Sequence, residues 1–504
     1  MLLHHKIIQT AKRRSKHLAV KDVFRNIRLS YRKLLIASLM FSRRLKKIED
    51  SYIGIMLPTS AGAIISIIAA YFAGKIPVMI NYTTGAKDNI IFAQHKCGFK
   101  AVITSRQLLV NIKCPETDGM LFAEDMLESL KPWEKLLAGI KSILPAWLLY
   151  RFVASGNEKD TALILFTSGS EREPKGVELS HYNIFSDFTA SVEVIDFNQN
   201  HLMLAVLPFF HVFGFSAALW MPLAMGMGII TYPNPLDFKN IAKIVRDEKP
   251  DILIATPYFL MNYLKQSQPG DMSSLKFLIA GGDKVPDWLH DIFLEQQSIE
   301  LLEGYGTTET SPVISVNTPG NNKRGSVGRP LPGVEVKIID VATGQELSTG
   351  EEGKILVRGN IVMKGYFDDL EETALKIENG WYETGDMGFL DDEGFLWHCG
   401  RLKRFVKIAG EMISLVGIED ALLRHLQPGV DVCVVELPDA KKGAEIVAAV
   451  TGDFDEQEIK SILRKTLPPL AIPRHFVVVE ELPKMGSGKI DFRSTTKMVQ
   501  DLLL

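Results

Sequence analysis

The sequence predicts an α/β protein with a large N-terminal domain of layered α/β sheets that includes a small β-rich subdomain. A small α+β C-terminal domain follows. Three observations carry this. Short apolar runs alternate with helical patterns over about 51–80 and 161–256, as parallel βα units do. From about 327 to 398 the texture changes to short strands separated by Gly and Asp turns. After Gly400-Arg401 comes a separate compact stretch, so the principal boundary is placed there. That gives domains 1–400, with the subdomain at about 327–400, and 401–504. A chain of 504 residues asks for two or three domains. Its 46% hydrophobic and 23% charged composition excludes disorder.

Taken in order, the first segment MLLHHKIIQTAKRRSK has no apolar stretch ahead of its basic cluster, unlike a secretory signal. Residues 1–50 hold 14 Lys and Arg against 3 Asp and Glu, while the whole chain has a net charge of −3. The plain reading of this excess is a solvated basic face; the sharper one is contact with an acidic surface, anionic lipid or acidic protein. Ala61 to Gly74 is apolar but too short to span a bilayer, and it reads as a buried helix. Residues 132–153 (PWEKLLAGIKSILPAWLLYRFV) read either as an interfacial amphipathic helix pair broken at Pro145 or as an ordinary packed hairpin. The runs IGIML, ALILF, LMLAVL, GIITY and ILIAT are strand candidates of the first domain. VEVKIID, GKILVRG and GFLWHCG are those of the subdomain. The last segment has a β-α-β-α-β pattern. Four cysteines, Cys97, Cys114, Cys399 and Cys433, form no CxxC pair, so neither zinc nor a disulfide framework is expected and a cytoplasmic setting is the default.

Four segments carry chemistry. Leu165-Phe166-Thr167-Ser168-Gly169-Ser170, running on to Pro174-Lys175-Gly176, joins a strand to a hydroxyl- and glycine-bearing loop with a lysine, which suits a polyphosphate. It is not a P-loop, because Lys175 is not followed by Ser or Thr. Glu303-Gly304-Tyr305-Gly306-Thr307-Thr308-Glu309 sets an aromatic ring between glycines, flat enough for a purine, with a hydroxyl and a carboxylate beside it for phosphate and Mg²⁺. Tyr382-Glu383-Thr384-Gly385-Asp386, with Gly400-Arg401-Leu402-Lys403, offers a carboxylate and a cation to a ribose. Lys484-Met485-Gly486-Ser487-Gly488-Lys489-Ile490 holds a lysine on a glycine-flanked loop, placed to neutralise charge developing on a phosphate.

In this order and at these separations the four segments resemble the adenylate-forming superfamily: acyl-CoA synthetases, peptide-synthetase adenylation domains and firefly luciferase. The resemblance implies ATP and Mg²⁺ as cofactors, a mobile C-terminal domain, and two half-reactions: acyl-adenylate formation, then transfer to a thiol. By the same resemblance the loop of Thr167, Ser168, Gly169, Ser170 and Lys175 holds the β- and γ-phosphates. Gly281, Gly282 and Asp283 lie along adenine, and Tyr305, flanked by Gly306, stacks on it. Thr307 meets the α-phosphate, Glu309 helps bind Mg²⁺, and Asp386 and Arg401 hold the ribose hydroxyls. Lys489 matches the adenylation lysine, Lys403 the hinge, and Gly410 the glycine lining the path of the thiol. His211, in LPFFHVFG, matches a position bordering the carboxylate pocket; without that match it would read as a satisfied core histidine. The phosphate loop departs from the family pattern at Glu171 and Arg172, the latter standing where relatives carry glycine.

The run Gly400 to Leu415, with Thr167–Glu171 and Leu301–Gly306, looks most like the synthetase part of bacterial 2-acylglycerophosphoethanolamine acyltransferase/acyl-[acyl-carrier-protein] synthetase. This implies a long-chain fatty acid as substrate and acyl carrier protein as acceptor, with CoA as the alternative thiol. Lys403, Arg404, Lys407 and the basic N-terminal stretch suit an acidic carrier protein. Residues 401–504 balance 15 Lys and Arg against 15 Asp and Glu, so bulk charge does not decide. His17 and Asp22 form an HxxxxD match with too little chain around them for a second catalytic domain, and a stand-alone synthetase is expected. Peripheral contact with the inner face of a membrane is the further expectation, and nucleic acid is not expected as a partner. A reading from another class, a non-catalytic acyl- or nucleotide-binding relative, is disfavoured by the intact Lys489, Glu309, Asp386 and Arg401.

Overall fold

Each apolar run of the first domain is a strand: Tyr52–Ile55, Thr161–Thr167, Leu202–Ala205, Gly228–Thr231 and Ile252–Ala255. All take part in parallel pairing, where both faces are covered and the strands are mostly apolar; Thr161–Thr167 closes its parallel array and pairs antiparallel on its other side. The computed structural model describes residues 1–167, 174–408, 411–427, 429–439, 443–452, 454–484 and 489–503.

Two mixed sheets dominate. In the nine-stranded sheet, six central strands are parallel in the order Leu301–Gly306, Phe277–Gly281, Ile252–Ala255, Leu202–Ala205, Gly228–Thr231, Leu18–Asp22, with antiparallel edges. The seven-stranded sheet has a parallel core from Thr161–Thr167 to Met120–Phe122 and ends in the antiparallel strands Lys175–Ser180 and Gly365–Tyr366. Between them packs Ala61–Phe72, the expected buried helix. Ser60 caps it, accepting from the Ala63 N–H at 3.2 Å. The subdomain is an antiparallel five-stranded sheet spanning Val334–Ile339 to Leu396–Arg401. Its last strand runs to Arg401, which pairs in register with Asp386.

One continuous apolar core extends from Leu3 to Leu396, and two smaller ones lie within 406–499. The C-terminal segment is richer in strands than expected. A hairpin of Phe405–Ile408 and Glu411–Ser414 precedes Val432–Asp439, Gly443–Thr451 and His475–Val479, with helices Leu415–Leu423, Glu456–Thr466 and Phe492–Leu503. This segment folds back onto the first domain. Lys284 ion-pairs with Asp420, Lys484 stands 4.4 Å over the Tyr258 ring, and Val416 packs against Gly400. Segment 132–153 is helical on both sides of Pro145, over Pro132–Lys141 and Ala146–Leu149. No helix among the described residues is long and apolar enough to cross a membrane.

The expectation that Arg404 belongs to a docking surface is corrected. Arg404 is buried, paired with Glu419, donating to the Val434 carbonyl at 2.8 Å and lying 4.0 Å over Phe492. The basic N-terminal stretch is also partly spent inside: Arg44 pairs with Glu134, Lys21 with Glu248, and Lys12 donates to the Ser142 carbonyl at 2.6 Å.

Candidate active site

In a parallel sheet, ligands sit beyond the carboxyl ends of the strands, and the predicted residues occupy those ends. Gly281 closes Phe277–Gly281 in register with Gly304, and Gly306 closes Leu301–Gly306. Gly306 cannot be another residue without moving backbone, since a Cβ there would lie 1.8 Å from the Pro312 carbonyl oxygen. Gly282 has φ +86°, a conformation that favours glycine, and turns the chain toward Asp283. Thr307 caps the 3₁₀ turn Thr308–Thr310, its N–H donating to Thr310 Oγ1 at 3.1 Å, which sets Glu309 beside it.

The subdomain contributes the other wall. Asp386, 2% exposed, accepts from Tyr305 Oη at 2.6 Å and faces Arg401 Nε at 3.2 Å. Burial alone would raise its carboxyl; His398 and Arg401 outweigh that and hold it below the usual carboxylate range. Its buried Oδ1 is the atom that Arg401 Nε faces, with His398 Nε2 at 3.9 Å, and neither forms an aligned hydrogen bond to it. A sugar diol would supply the missing donors, so the ribose of ATP fits this cradle.

Lys489 reaches the same place from the C-terminal segment. A Cβ built on Gly282 would stand 3.5 Å from Lys489 Cε and 3.6 Å from Nζ. Burial lowers the Lys489 pKa, with the Asp283 carboxylate opposing, and burial raises that of Asp283 against the pull of Lys489. His211 lies within the field of Lys489; burial first, then that charge, brings its pKa down to about 4, so the ring is neutral at pH 7. Phe213 lies beside it in sequence, just ahead of the π-helical turn Gly214–Trp220, and its ring crowds Gly281.

A second cluster forms where the phosphates are expected. Glu309 accepts from Tyr366 Oη at 3.0 Å, while Lys175 pairs with Glu372 and stands 5.0 Å from the Tyr366 ring. Lys175 is thus charge-compensated, and a phosphate would have to displace Glu372. Thr167 pairs with Lys175 in register at the mouth of the loop. The buried Tyr382 joins the clusters: burial and the charges of Glu309 and Asp386 push its phenol up. Among the described residues no group of three or more His, Cys, Asp or Glu could hold an ion alone. Mg²⁺ accompanying a triphosphate needs only one or two protein carboxylates, and Glu309 fits that requirement.

Gly281, Gly282, Asp283, Tyr305, Asp386, Arg401, His211 and Lys489 therefore converge, with Thr307 and Glu309 alongside. Ser168, Gly169, Ser170, Arg172 and Gly410 lie outside the described residues. Lys403 sits in the 3₁₀ turn Leu402–Arg404 that follows the last subdomain strand. The sequence reading missed Tyr366, Glu372 and His398. Only His398 left a signal: a polar ring three residues before Arg401, on the strand facing Asp386.

Known proteins resemble this chain over most of its length. Residues 7–367 match the AMP-binding enzyme family, and residues 417–489 match the AMP-binding enzyme C-terminal domain. The chain is 30% identical over 474 residues to a long-chain-fatty-acid–CoA ligase of Bacillus subtilis, covering 87% of this chain and 84% of that protein. It is 32% identical over 388 residues to a medium-chain fatty-acid–CoA ligase of Escherichia coli, covering 72% and 68%. The anthranilate CoA ligase AuaEII in complex with anthranoyl-AMP superposes with a TM-score of 0.86 at 21% identity, over 100% of this chain and 98% of the other. ATP-bound MatB of Rhodopseudomonas palustris gives 0.85 at 24%, over 100% of both chains. At these identities the two structures speak for the fold: a large N-terminal and a smaller C-terminal domain. The chain belongs to the AMP-binding enzyme family, as an AMP-forming acid–thiol ligase that works with ATP and Mg²⁺.

Proposed function

We propose that this chain activates a long-chain fatty acid as its acyl-adenylate and transfers the acyl group to the thiol of CoA. The observation that carries the acyl part is an apolar cleft lined by Phe188, Phe197, Phe213, Ala217, Met221 and Ile254, beside the Gly281 strand end. Phe213 and Ile279 link it to Gly281, so a chain in the cleft would present its carboxylate toward His211 and Lys489. Asp187 and Ser191 are the polar residues in the wall; Asp187 takes the Val313 N–H at 2.7 Å, and burial raises its pKa. Both fatty-acid ligases above are named for CoA, which favours CoA over acyl carrier protein as acceptor. The buried Arg404 removes one support for the carrier protein.

The chemistry asks two anions to approach each other. Bound Mg²⁺ would supply charge between phosphate oxygens, with Glu309 among its ligands. Lys489 carries the cation that bridges carboxylate and α-phosphate, neutral His211 borders the carboxylate, and Asp386 with Arg401 fixes the ribose. Tyr305 stacks on the base above Gly281, Gly282 and Asp283, and Lys175 reaches the outer phosphates on leaving Glu372. The domains divide after Gly400, with Lys403 in the turn Leu402–Arg404 as the hinge about which the small domain exchanges Lys489 for Gly410 and the thiol path.

Purified protein with ATP, Mg²⁺ and labelled palmitate, given CoA and holo-acyl carrier protein in parallel, tests this. Label on CoA is expected; label on the carrier protein alone would reassign the acceptor, and no acyl-AMP at all would refute the acid. Lys489→Ala should abolish acyl-AMP while ATP still binds, and undiminished acyl-AMP would sink the role of Lys489.

A further inference from the structure

Amphipathic helices on a globular protein turn the apolar face inward. The hairpin at 132–152 does the reverse. Trp133, Leu136, Ile140, Ile143 and Trp147, three and four residues apart, are 51%, 67%, 52%, 70% and 62% exposed. The buried side is Glu134, Ala138 and Ser142 before Pro145, and Leu149 and Val153, both part of the apolar core, after it. The part before Pro145 is tied down chiefly by charge and hydrogen bonds. Arg44 grips Glu134 with two bonds of 2.6 and 2.8 Å, Arg43 adds a contact at 3.6 Å, and Lys12 and Arg32 hold Ser142 at 2.6 and 3.3 Å. The outward stripe is thus held rigidly in place. Contiguous exposed apolar faces of this kind mark interaction sites, whereas scattered exposed residues do not.

The rim says what the face meets. Lys131, Lys135 and Arg151 are exposed around it, and Lys46 and Lys47 stand exposed on the neighbouring segment. Within 131–153 the one acidic residue, Glu134, is buried and paired. Of the acids that flank it in sequence, Asp125 is held by Arg106, while Glu128 and Glu49 are exposed and outnumbered by the five basic residues of the rim. Arg43 lies 4.7 Å over Trp133, Arg151 5.9 Å over Trp147 and Lys141 4.4 Å over Phe152, so cations and aromatic rings sit at one level. Indoles and aliphatic side chains ringed by cations match the boundary between acyl chains and anionic headgroups.

We propose that this face docks the enzyme on an anionic phospholipid bilayer, with Trp133, Ile140, Ile143 and Trp147 entering the headgroup boundary and Lys135 and Arg151 meeting lipid phosphates. The inference does not depend on which acid or thiol is used.

The full chain is to be sedimented with phosphatidylcholine vesicles and with vesicles containing about 30% phosphatidylglycerol. Binding to the anionic vesicles is expected, weakening with salt. Ile143→Ser with Trp147→Ser should cut it about tenfold or more at unchanged Tm, because these side chains are solvated in the free protein. Lys135→Glu with Arg151→Glu should abolish the preference for anionic lipid while leaving acyl-AMP formation in detergent-free buffer intact. No binding by the unmodified chain at low salt, or equal binding by the serine variant, would overturn the proposal. So would a concentration-dependent dimer of the unmodified chain that the serine variant loses in the absence of lipid, since the face would then meet a second copy.

Discussion

Asp386→Asn isolates the ribose cradle. The carboxylate is buried, bonded at Oδ2 by Tyr305 at 2.6 Å and faced at Oδ1 by Arg401 Nε at 3.2 Å without an aligned hydrogen bond. Asparagine keeps the shape and one acceptor oxygen, so Tyr305 can still donate, and the loss is one hydrogen bond to a charged acceptor. Such a bond is worth about 1.5–3 kcal/mol. At about 1.4 kcal/mol per factor of ten, kcat/KM for ATP should fall about 10- to 150-fold. Asp386→Ala forfeits both ribose bonds and orphans the Tyr305 hydroxyl as well, so its larger loss would mix binding with stability. Pyrophosphate exchange at saturating fatty acid measures the effect, with Tm as the structural control. Comparing ATP with 2′-deoxy-ATP and 3′-deoxy-ATP adds the cycle: an analogue lacking the hydroxyl that Asp386 holds should be discriminated by the native chain and much less by the variant. A variant with native Tm and a kcat/KM for ATP within about twofold of native would refute the assignment. Equal discrimination against both deoxy analogues by the two proteins would do the same.

Gly306→Ala places a Cβ 1.8 Å from the Pro312 carbonyl oxygen and should cost at least about 2 kcal/mol in urea unfolding, besides depressing adenylation. Arg404→Met leaves Glu419 buried without its partner and should destabilise by about 3–5 kcal/mol; Arg404→Met with Glu419→Leu should recover most of that, with the KM for the acceptor unchanged throughout. Glu419 already has its pKa raised to about 7 by burial in spite of Arg404, which marks the pair as costly to keep. Burial lowers His4 to about 4 and His181 to about 3, both from an ordinary 6.5. Their folded pKa values lie below the unfolded one, so the unfolded state binds more protons in between. This stability is fully present above pH 6.5 and is lost as pH falls toward 4 and 3, about 3 kcal/mol for His4 alone. Urea midpoints at pH 7.5, 5.5 and 4.5 should show the decline, and replacing both histidines by Phe and Leu should make it shallower, with buried His211 supplying part of what remains.

Much of the site was legible because its parts are local. Asp386 and Arg401 lie on adjoining strands of one hairpin, and Gly304-Tyr305-Gly306 is a strand end whose glycines are explained by the backbone they approach. Lys489 against Gly282 joins residues from opposite domains, and no periodicity or composition predicts that contact; the family resemblance alone suggested it. Tyr366 and Glu372 escaped because a two-residue strand and a short helix bring them over Glu309 and Lys175 only in the folded chain. Arg404 was misread because a basic residue in a basic run usually faces water. The counter-signal was Glu419, lying among Leu415, Ile418 and Leu422 on the apolar face of its helix. A carboxylate on that face demands a buried cation.

The hairpin at 132–152 shows the deeper limit of sequence reading. Spacing of Trp133, Leu136 and Ile140 gives a stripe on the helix Pro132–Lys141, and Ile143 in the turn and Trp147 on the short helix after Pro145 are exposed as well. Periodicity fixes the axis of an amphipathic helix but not which side faces the core, and the usual sign rests on apolar burial being the dominant gain. Here the opposing face carries Glu134, which cannot be buried unpaired, and Arg44 and Arg43 stand on the neighbouring helix to receive it. With the Glu134 pKa brought down to about 2, first by the Arg44 hydrogen bond and then by the Lys131 N–H, the ion pair and the Ser142 contacts anchor the polar side inward. The apolar stripe is turned out as the consequence. Glu134→Leu removes that anchor and leaves Arg44 facing an apolar side chain. Its effect on vesicle binding measures how far the outward stripe depends on the one buried carboxylate: vesicle affinity should drop while acyl-AMP formation persists. Undiminished vesicle binding by that variant would show the hairpin to be held by its remaining contacts instead.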